Sequence, residues 1–167
     1  MPRRIVLAML CLLVPSQLFN PAAGPPTVQA ASPDTAAALS RMFELAQHYH
    51  VAAGCPPWQR DARLDHAAQL HAAELARHRR ISHRGRDGSH VRDRLRRQGY
   101  PANRATESIA YYSSAEESVR FWMSEPPRGP HRRNITWCQY TDAGVGVAYD
   151  SRGVPWWVMD YANRAGK

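Results

Sequence analysis

Apolar positions recur at helical spacing early in the chain. Leu39, Met42, Phe43, Ala46 and Tyr49 fall on one face of a helix that Ser32-Pro33-Asp34 opens and Ala52-Ala53-Gly54 closes. Cys55-Pro56-Pro57-Trp58 is a rigid connector. Asp61 caps a second helix, on which Leu64, Ala68, His71 and Leu75 share a face. His71 therefore reads as a core histidine with a hydrogen-bonded ring. A loop over 81–88 leads to a short Arg-rich helix that Ser89 caps and Gly99 stops. Residues 107–112 read as a short strand. Ser113 and Glu116 fit a capping box for a helix carrying Val119, Trp122 and Met123 and ending before Pro126-Pro127.

The last third changes period. Residues 135–140, 144–149 and 155–161 read as three strands, the last two joined by a turn at Asp150-Ser151-Arg152-Gly153. Strand alternation predicts one of Trp156 and Trp157 in the core and the other as a surface platform for glycan or lipid; likewise at least one of Tyr111 and Tyr112 is packed inside. There are no internal repeats and no long linker. Helices flanking a small, mostly antiparallel sheet define an α+β fold.

Composition changes the picture mainly at the N-terminus. The chain has 167 residues, 44% of them hydrophobic, with five Trp and seven Tyr, enough for one packed domain. Residues 1–30 stand apart. A basic Pro2-Arg3-Arg4, an apolar 5–19 too short to span a bilayer comfortably, and Val28-Gln29-Ala30 before Ala31 form a signal peptide. Export by the general or the twin-arginine route is compatible with Arg3-Arg4. The expected secreted domain is 31–167. Removing 1–30 takes away two Arg and no acid, leaving 20 basic residues against 14 acidic ones, a net +6. That charge serves solubility, or attracts anionic surfaces. Its densest part is 77–97, with Arg77, Arg79, Arg80, Arg84, Arg86, Arg92, Arg94, Arg96 and Arg97. No nucleic-acid fold or aromatic-interleaved basic motif accompanies it, so no specific nucleic-acid partner is expected.

Cys11 leaves with the signal peptide, so Cys55 and Cys138 remain as an even pair in an oxidising compartment. A disulfide is expected, two buried free thiols being the alternative. It would close a loop that stabilises the fold by about 4 kcal/mol in the chain-entropy model. The remaining histidines, His48, His50, His66, His78 and His90, lie in polar helical contexts and read as surface residues.

Candidate chemistry gathers in 83–134. Ile81-Ser82-His83, Glu107-Ser108-Ile109-Ala110, Trp122-Met123-Ser124-Glu125 and Gly129-Pro130-His131-Arg132-Arg133-Asn134 place two His and two Glu in separate segments. Their order and spacing resemble the CAP superfamily (SCP-like extracellular domains: cysteine-rich secretory proteins, antigen 5, pathogenesis-related proteins), and its small secreted bacterial members above all. Ser108 stands where the family usually has Asn, and Pro130 intervenes between Gly129 and His131. The resemblance covers 36–162 and implies a three-layer α-β-α sandwich. It also implies a central cleft with His83 and His131 as metal ligands and Glu107 and Glu125 beside them. Two neutral imidazoles can bind a divalent cation, zinc first, with open positions for water. The carboxylates then orient the rings or act as general base, which makes Glu107 and Glu125 the catalytic candidates. Without metal, the same network can simply tie loops together.

The expectation is a secreted monomer that binds an extracellular ligand, such as a lipid, sterol or cell-envelope polymer, beside a cation site. The alternative is a metal-dependent hydrolase, a peptidase or cell-envelope enzyme, using the same tetrad. No HExxH occurs and no serine has a nucleophile-elbow context, so those two routes to hydrolysis are not indicated.

Overall fold

A computed structural model describes residues 33–164; the signal peptide expected over 1–30 lies outside the described residues. In chain order the elements are α1 (Pro33–Ala52), β1 (Gln59–Arg60), α2 (Ala62–His78), α3 (Val91–Arg97), β2 (Ala102–Ala110), α4 (Ala115–Ser124), α5 (Pro130–Thr136), β3 (Asp142–Tyr149) and β4 (Pro155–Arg164). The strands form one sheet in the order β1-β3-β4-β2. β1 runs parallel to β3, and the other pairs are antiparallel. Among the described residues no helix is long and apolar enough to cross a membrane.

Helices cover both faces of the sheet. Val145, Val147, Trp157, Met159 and Tyr161 pack with Met42, Phe43, Val119, Trp122 and Ile135, so α1, α4 and α5 lie on one side. Ile109, Trp156 and Val158 pack with Ala68, Ala72 and Leu75 of α2, and Ala162 packs with Leu64 and with Leu95 of α3, on the other. The α+β, three-layer arrangement is as expected. Two-sided cover also decides the Trp pair. Both Trp156 and Trp157 are buried, because β4 has no solvent face. Conversely, β2 ends at Ala110, so Tyr111 and Tyr112 leave the sheet and both are exposed.

Two glycines let α2 lie directly on β3. A Cβ at Gly144 would overlap the backbone of Leu64 and Asp65, and one at Gly146 that of Ala68 and Gln69. The same approach satisfies the sheet edge. β1 pairs only with Asp142 and Ala143 of β3. Further along, Asp65 Oδ1 accepts from the Val145 amide (2.8 Å), and the Gln69 amide group bonds both Val147 N (3.1 Å) and Val147 O (2.8 Å). Edge groups that would otherwise recruit another strand are thus occupied.

Sequence expectations for the termini of elements hold with small shifts. Asp61 caps α2, accepting from Arg63 N at 2.9 Å. α3 is capped by His90 rather than Ser89. α4 is capped by Ser114, whose Oγ accepts from Glu117 N, one residue later than the expected box. The expected strand over 135–140 is not formed: α5 occupies 130–136, and residues 137–140 are irregular. Pro130 at the first helical position starts that helix. The two cysteines form the disulfide Cys55–Cys138, Cα atoms 4.9 Å apart across 83 residues of sequence. It ties the end of α1 to the chain just after α5.

Candidate functional site

Glu107 sits on β2 opposite Asp160 of β4, which in turn faces Gly144 of β3. Directly paired residues share a face, and here it is the face under α2. Glu107 is only 5% exposed. Its Oε2 accepts from Arg94 Nη2 of α3 at 2.5 Å, and its Oε1 pairs with His83 Nδ1 at 3.0 Å. His71 Nε2 lies 3.8 Å from the same Oε1 and bonds Ser82 O at 2.9 Å, holding the loop that carries His83. His71 is thus the hydrogen-bonded core histidine expected. Burial pushes the Glu107 carboxyl up, but the His83 hydrogen bond and the Arg94 charge outweigh it and hold the group below its ordinary range. Burial lowers His71, keeping its ring neutral.

Asp160 has the opposite fate. It is fully buried, and neither carboxylate oxygen has a hydrogen-bond partner. Burial first, and then the Glu107 charge, raise its carboxyl well above the usual range against the pull of Arg94, with Asp65 adding to the rise. Two carboxyls side by side thus hold different states, Glu107 ionised and Asp160 neutral. Nothing in the linear sequence marks Asp160, which the strand register places beside Glu107, or singles out Arg94 among the arginines of α3, which only the packing of that helix brings to Glu107.

The second pair forms on the other side of the sheet edge. Glu125 follows α4 and turns toward the start of α5. Its Oε2 accepts from the backbone amides of His131 (2.8 Å) and Arg132 (3.3 Å), capping that helix, and its Oε1 pairs with His131 Nδ1 at 2.6 Å. Burial raises the Glu125 carboxyl, but the His131 ring and the amide bonds prevail and lower it. The His131 ring lies between Phe121 (5.8 Å) and Trp122 (6.3 Å). One turn on, Asn134 Nδ2 donates to Glu107 O (3.2 Å) and Ser108 Oγ (3.3 Å). That contact fastens α5 to the free edge of β2 and brings His131 over the strand that carries Glu107.

The outcome is a cavity of about 280 Å³ across the β2 edge, lined by His83, His90, Thr106, Glu107, His131 and Asn134, among others. His83 and His131 both line it. Each spends Nδ1 on a carboxylate, and among the described residues Nε2 is the nitrogen left without a hydrogen-bond partner. Glu125 orients His131 from behind, and Glu107 does the same for His83. A carboxylate on the far nitrogen fixes tautomer and raises ligand basicity. Imidazoles backed in this way are donors of the type that a divalent cation takes together with water. Among the described residues no group of three or more His, Cys, Asp or Glu side chains converges as a metal cage.

Other residues add to expectation or depart from it. His90 is exposed as expected, and it also caps α3 and lines the cavity. His50 is buried rather than on the surface; it stacks on Trp58 at 4.0 Å and bonds Ile135 O through Nδ1 at 2.7 Å. Tyr111 and Tyr112 do not line the cavity. They form an exposed shelf, Tyr111 against Trp156 (5.4 Å) and Tyr112 against Phe121 (5.0 Å).

The described residues thus form a three-layer sandwich with one disulfide and with paired His–Glu side chains at a sheet edge. The sequence model of the cysteine-rich secretory protein family (CAP) matches residues 45–161, and the chain belongs to that family. No curated protein matches it. Solved structures share the fold. An outer surface protein of Borrelia burgdorferi is 16% identical, with TM-score 0.66, over 75% of this chain and 92% of that one. An extracellular SCP-domain protein of Bacillus anthracis is 20% identical, with TM-score 0.67, over 85% of this chain and 45% of that one. A cysteine-rich secretory protein of Staphylococcus aureus is 15% identical, with TM-score 0.64, over 80% and 40%. This chain spans less than half of the latter two.

Proposed function

We propose that this chain is an exported CAP domain that acts by binding. In this reading it holds a divalent cation, zinc first, through Nε2 of His83 and His131. It presents that cation to an extracellular ligand such as a lipid, sterol or envelope component. The observation that carries the reading is the matched pair of Nδ1–carboxylate contacts, His83–Glu107 and His131–Glu125, behind one cavity. Export is supported by the disulfide, which persists in oxidising compartments, and by the extracellular and outer-surface descriptions of the fold neighbours.

Binding is favoured over the hydrolase alternative by how the carboxylates are used. Both oxygens of Glu107 are taken by Arg94 and His83, and both of Glu125 by His131 and the amides of α5. Both carboxyls are held below their ordinary range by these contacts, which weakens each as a base for an attacking water.

Thermal unfolding tests the reading. Zinc should raise the melting temperature of the wild type, and a chelator should reverse the rise. His83→Ala with His131→Ala should abolish it. An equal zinc shift in the double variant, or none in the wild type, would refute the cation site and leave the His–Glu pairs as loop ties.

A further inference from the structure

The Arg-rich stretch is not a uniformly solvated surface. Its local acids are nearly all spoken for. Glu107 is taken by Arg94, Asp87 by Arg97, and Asp93 by the His90 amide with Arg96 nearby. Glu74 Oε1 accepts from the backbone amide of Arg86 at 2.8 Å. Among the described residues no carboxylate pairs with the guanidinium groups of Arg80, Arg84 or Arg86; Arg84 Nε donates to Gly88 O. These three line one concavity of about 240 Å³ with Glu74, His78 and Ser82. Three arginines and a histidine thus line the concavity beside one acid, Glu74, itself engaged by a backbone amide.

The loop that presents them is held from several sides. Ser82 O is bonded by His71, Ser89 N by Asp87 Oδ1 (2.9 Å), and Ser89 O by Arg94 Nη1 (3.2 Å). Gly85 N bonds Ser89 O at 2.9 Å, closing the turn. The backbone under the arginines is therefore ordered before any ligand arrives, which lowers the entropy a ligand must overcome. Unpaired like charges at close quarters repel one another, and a tetrahedral dianion removes that repulsion. It offers enough oxygens for several guanidinium forks, whereas a carboxylate accepts one.

We propose that this pocket is a phosphate-binding site, in which Arg80, Arg84 and Arg86 grip the oxygens of a phosphomonoester or phosphodiester. It shares no lining residue with the cavity of His83 and His131, so it stands or falls independently of the cation site.

Titration calorimetry of the full protein with inorganic phosphate, at constant ionic strength, tests it. The wild type should show saturable binding. Arg80→Gln, Arg84→Gln and Arg86→Gln together should weaken it at least tenfold. Arg92→Gln, Arg120→Gln and Arg128→Gln, a matched loss of charge from other exposed positions, should change it less than twofold. Arg80→Gln alone, at an exposed position, should weaken it at least threefold. No saturable binding, or equal losses in the two triple variants, would overturn the site in favour of a diffuse basic field. Vesicles of phosphatidylglycerol, against phosphatidylcholine controls, separate the sources. Vesicle binding displaced by inorganic phosphate assigns the phosphate to a lipid headgroup; phosphate binding without vesicle binding assigns it to a soluble compound. Vesicle binding with no inorganic phosphate binding would overturn the proposal.

Discussion

Replacing Glu107 by Gln keeps the shape of the side chain and removes its charge. The partner most affected is Arg94, whose side chain is 8% exposed and whose Nη2 bonds Glu107 at 2.5 Å. A guanidinium cannot shed its proton, so the variant leaves a buried cation facing a neutral amide. Removing one partner of a buried pair costs about 3–5 kcal/mol. The lower end applies here, because Arg94 keeps its bond to Ser89 O. We expect a loss of about 3 kcal/mol, which is roughly 10 °C in melting temperature for a domain of this size. Urea unfolding followed by fluorescence measures it directly. Adding Arg94→Met should recover part of the loss, because the uncompensated charge then disappears. A Glu107→Gln variant within 1 kcal/mol of wild type, or a double variant worse than the single by the full cost of Arg94→Met, would refute the account of this cluster.

Other perturbations have clear directions. Asp160 is raised above its ordinary value near 3.8 in the folded protein, so its favourable contribution is present below that pH and is lost as pH rises toward the folded value, by up to about 1.4 kcal/mol per pH unit. Asp160→Asn should therefore gain on the wild type between pH 4.5 and pH 7 in urea unfolding; a difference that does not grow with pH would contradict the neutral acid beside Glu107, Arg94 and Asp65. Asp61 is held down to about 2, chiefly by the Arg63 side chain, so its contribution is intact above pH 4 and fades as pH falls toward 2; Asp61→Ala should cost about 1 kcal/mol at pH 7 as a lost helix cap. Ala at both Cys55 and Cys138 should cost about 4 kcal/mol, the closure of a long loop, and an unchanged melting temperature would show that the bridge constrains nothing. Gly146→Ala must push α2 off β3 and should cost at least about 2 kcal/mol, as overpacking against backbone.

Much of this arrangement was legible because it is local. The α2 cap, the stop at Gly99 and the strand repeat in 144–149 all depend on neighbours within a few residues. The apolar run at 135–140 misled because Ile135 points into the core from a helix, while the strand reading counted only its apolar neighbours. Pro130 after Gly129 was the overlooked signal. Trp156 and Trp157 misled for another reason: alternation distinguishes inside from outside only when one face of a sheet is wet, and β4 has none. His50 gave no sign of burial, because its partner Trp58 comes after a turn. The positions of His83, Glu107, Glu125 and His131 come from a resemblance; of the neighbours of Glu107, Asp160 comes only from strand register and Arg94 only from the packing of α3.

The edge of β2 explains why the candidate site lies where it does. A free strand edge must be covered, and Asn134 covers this one from α5. The same helix needs its own N-terminal amides satisfied, and Glu125 does that. Both are requirements of folding, and together they bring His131 to the cavity with Nδ1 already occupied. On the opposite side, Glu107 neutralises buried Arg94 and by the same contact set orients His83, 58% of whose side chain is exposed. The carboxylates are thus bound to the scaffold, while the two imidazoles face the cavity. Loss of function on changing Glu107 or Glu125 consequently cannot distinguish a binding role from a fold defect. Changing His83 can: its ring is largely exposed and its loss leaves Glu107 still held by Arg94, so His83→Ala should leave stability within about 1 kcal/mol of wild type, as an exposed position does. Chemical denaturation in the presence of chelator measures that cost, and a loss of several kcal/mol would make His83 a structural tie rather than a ligand.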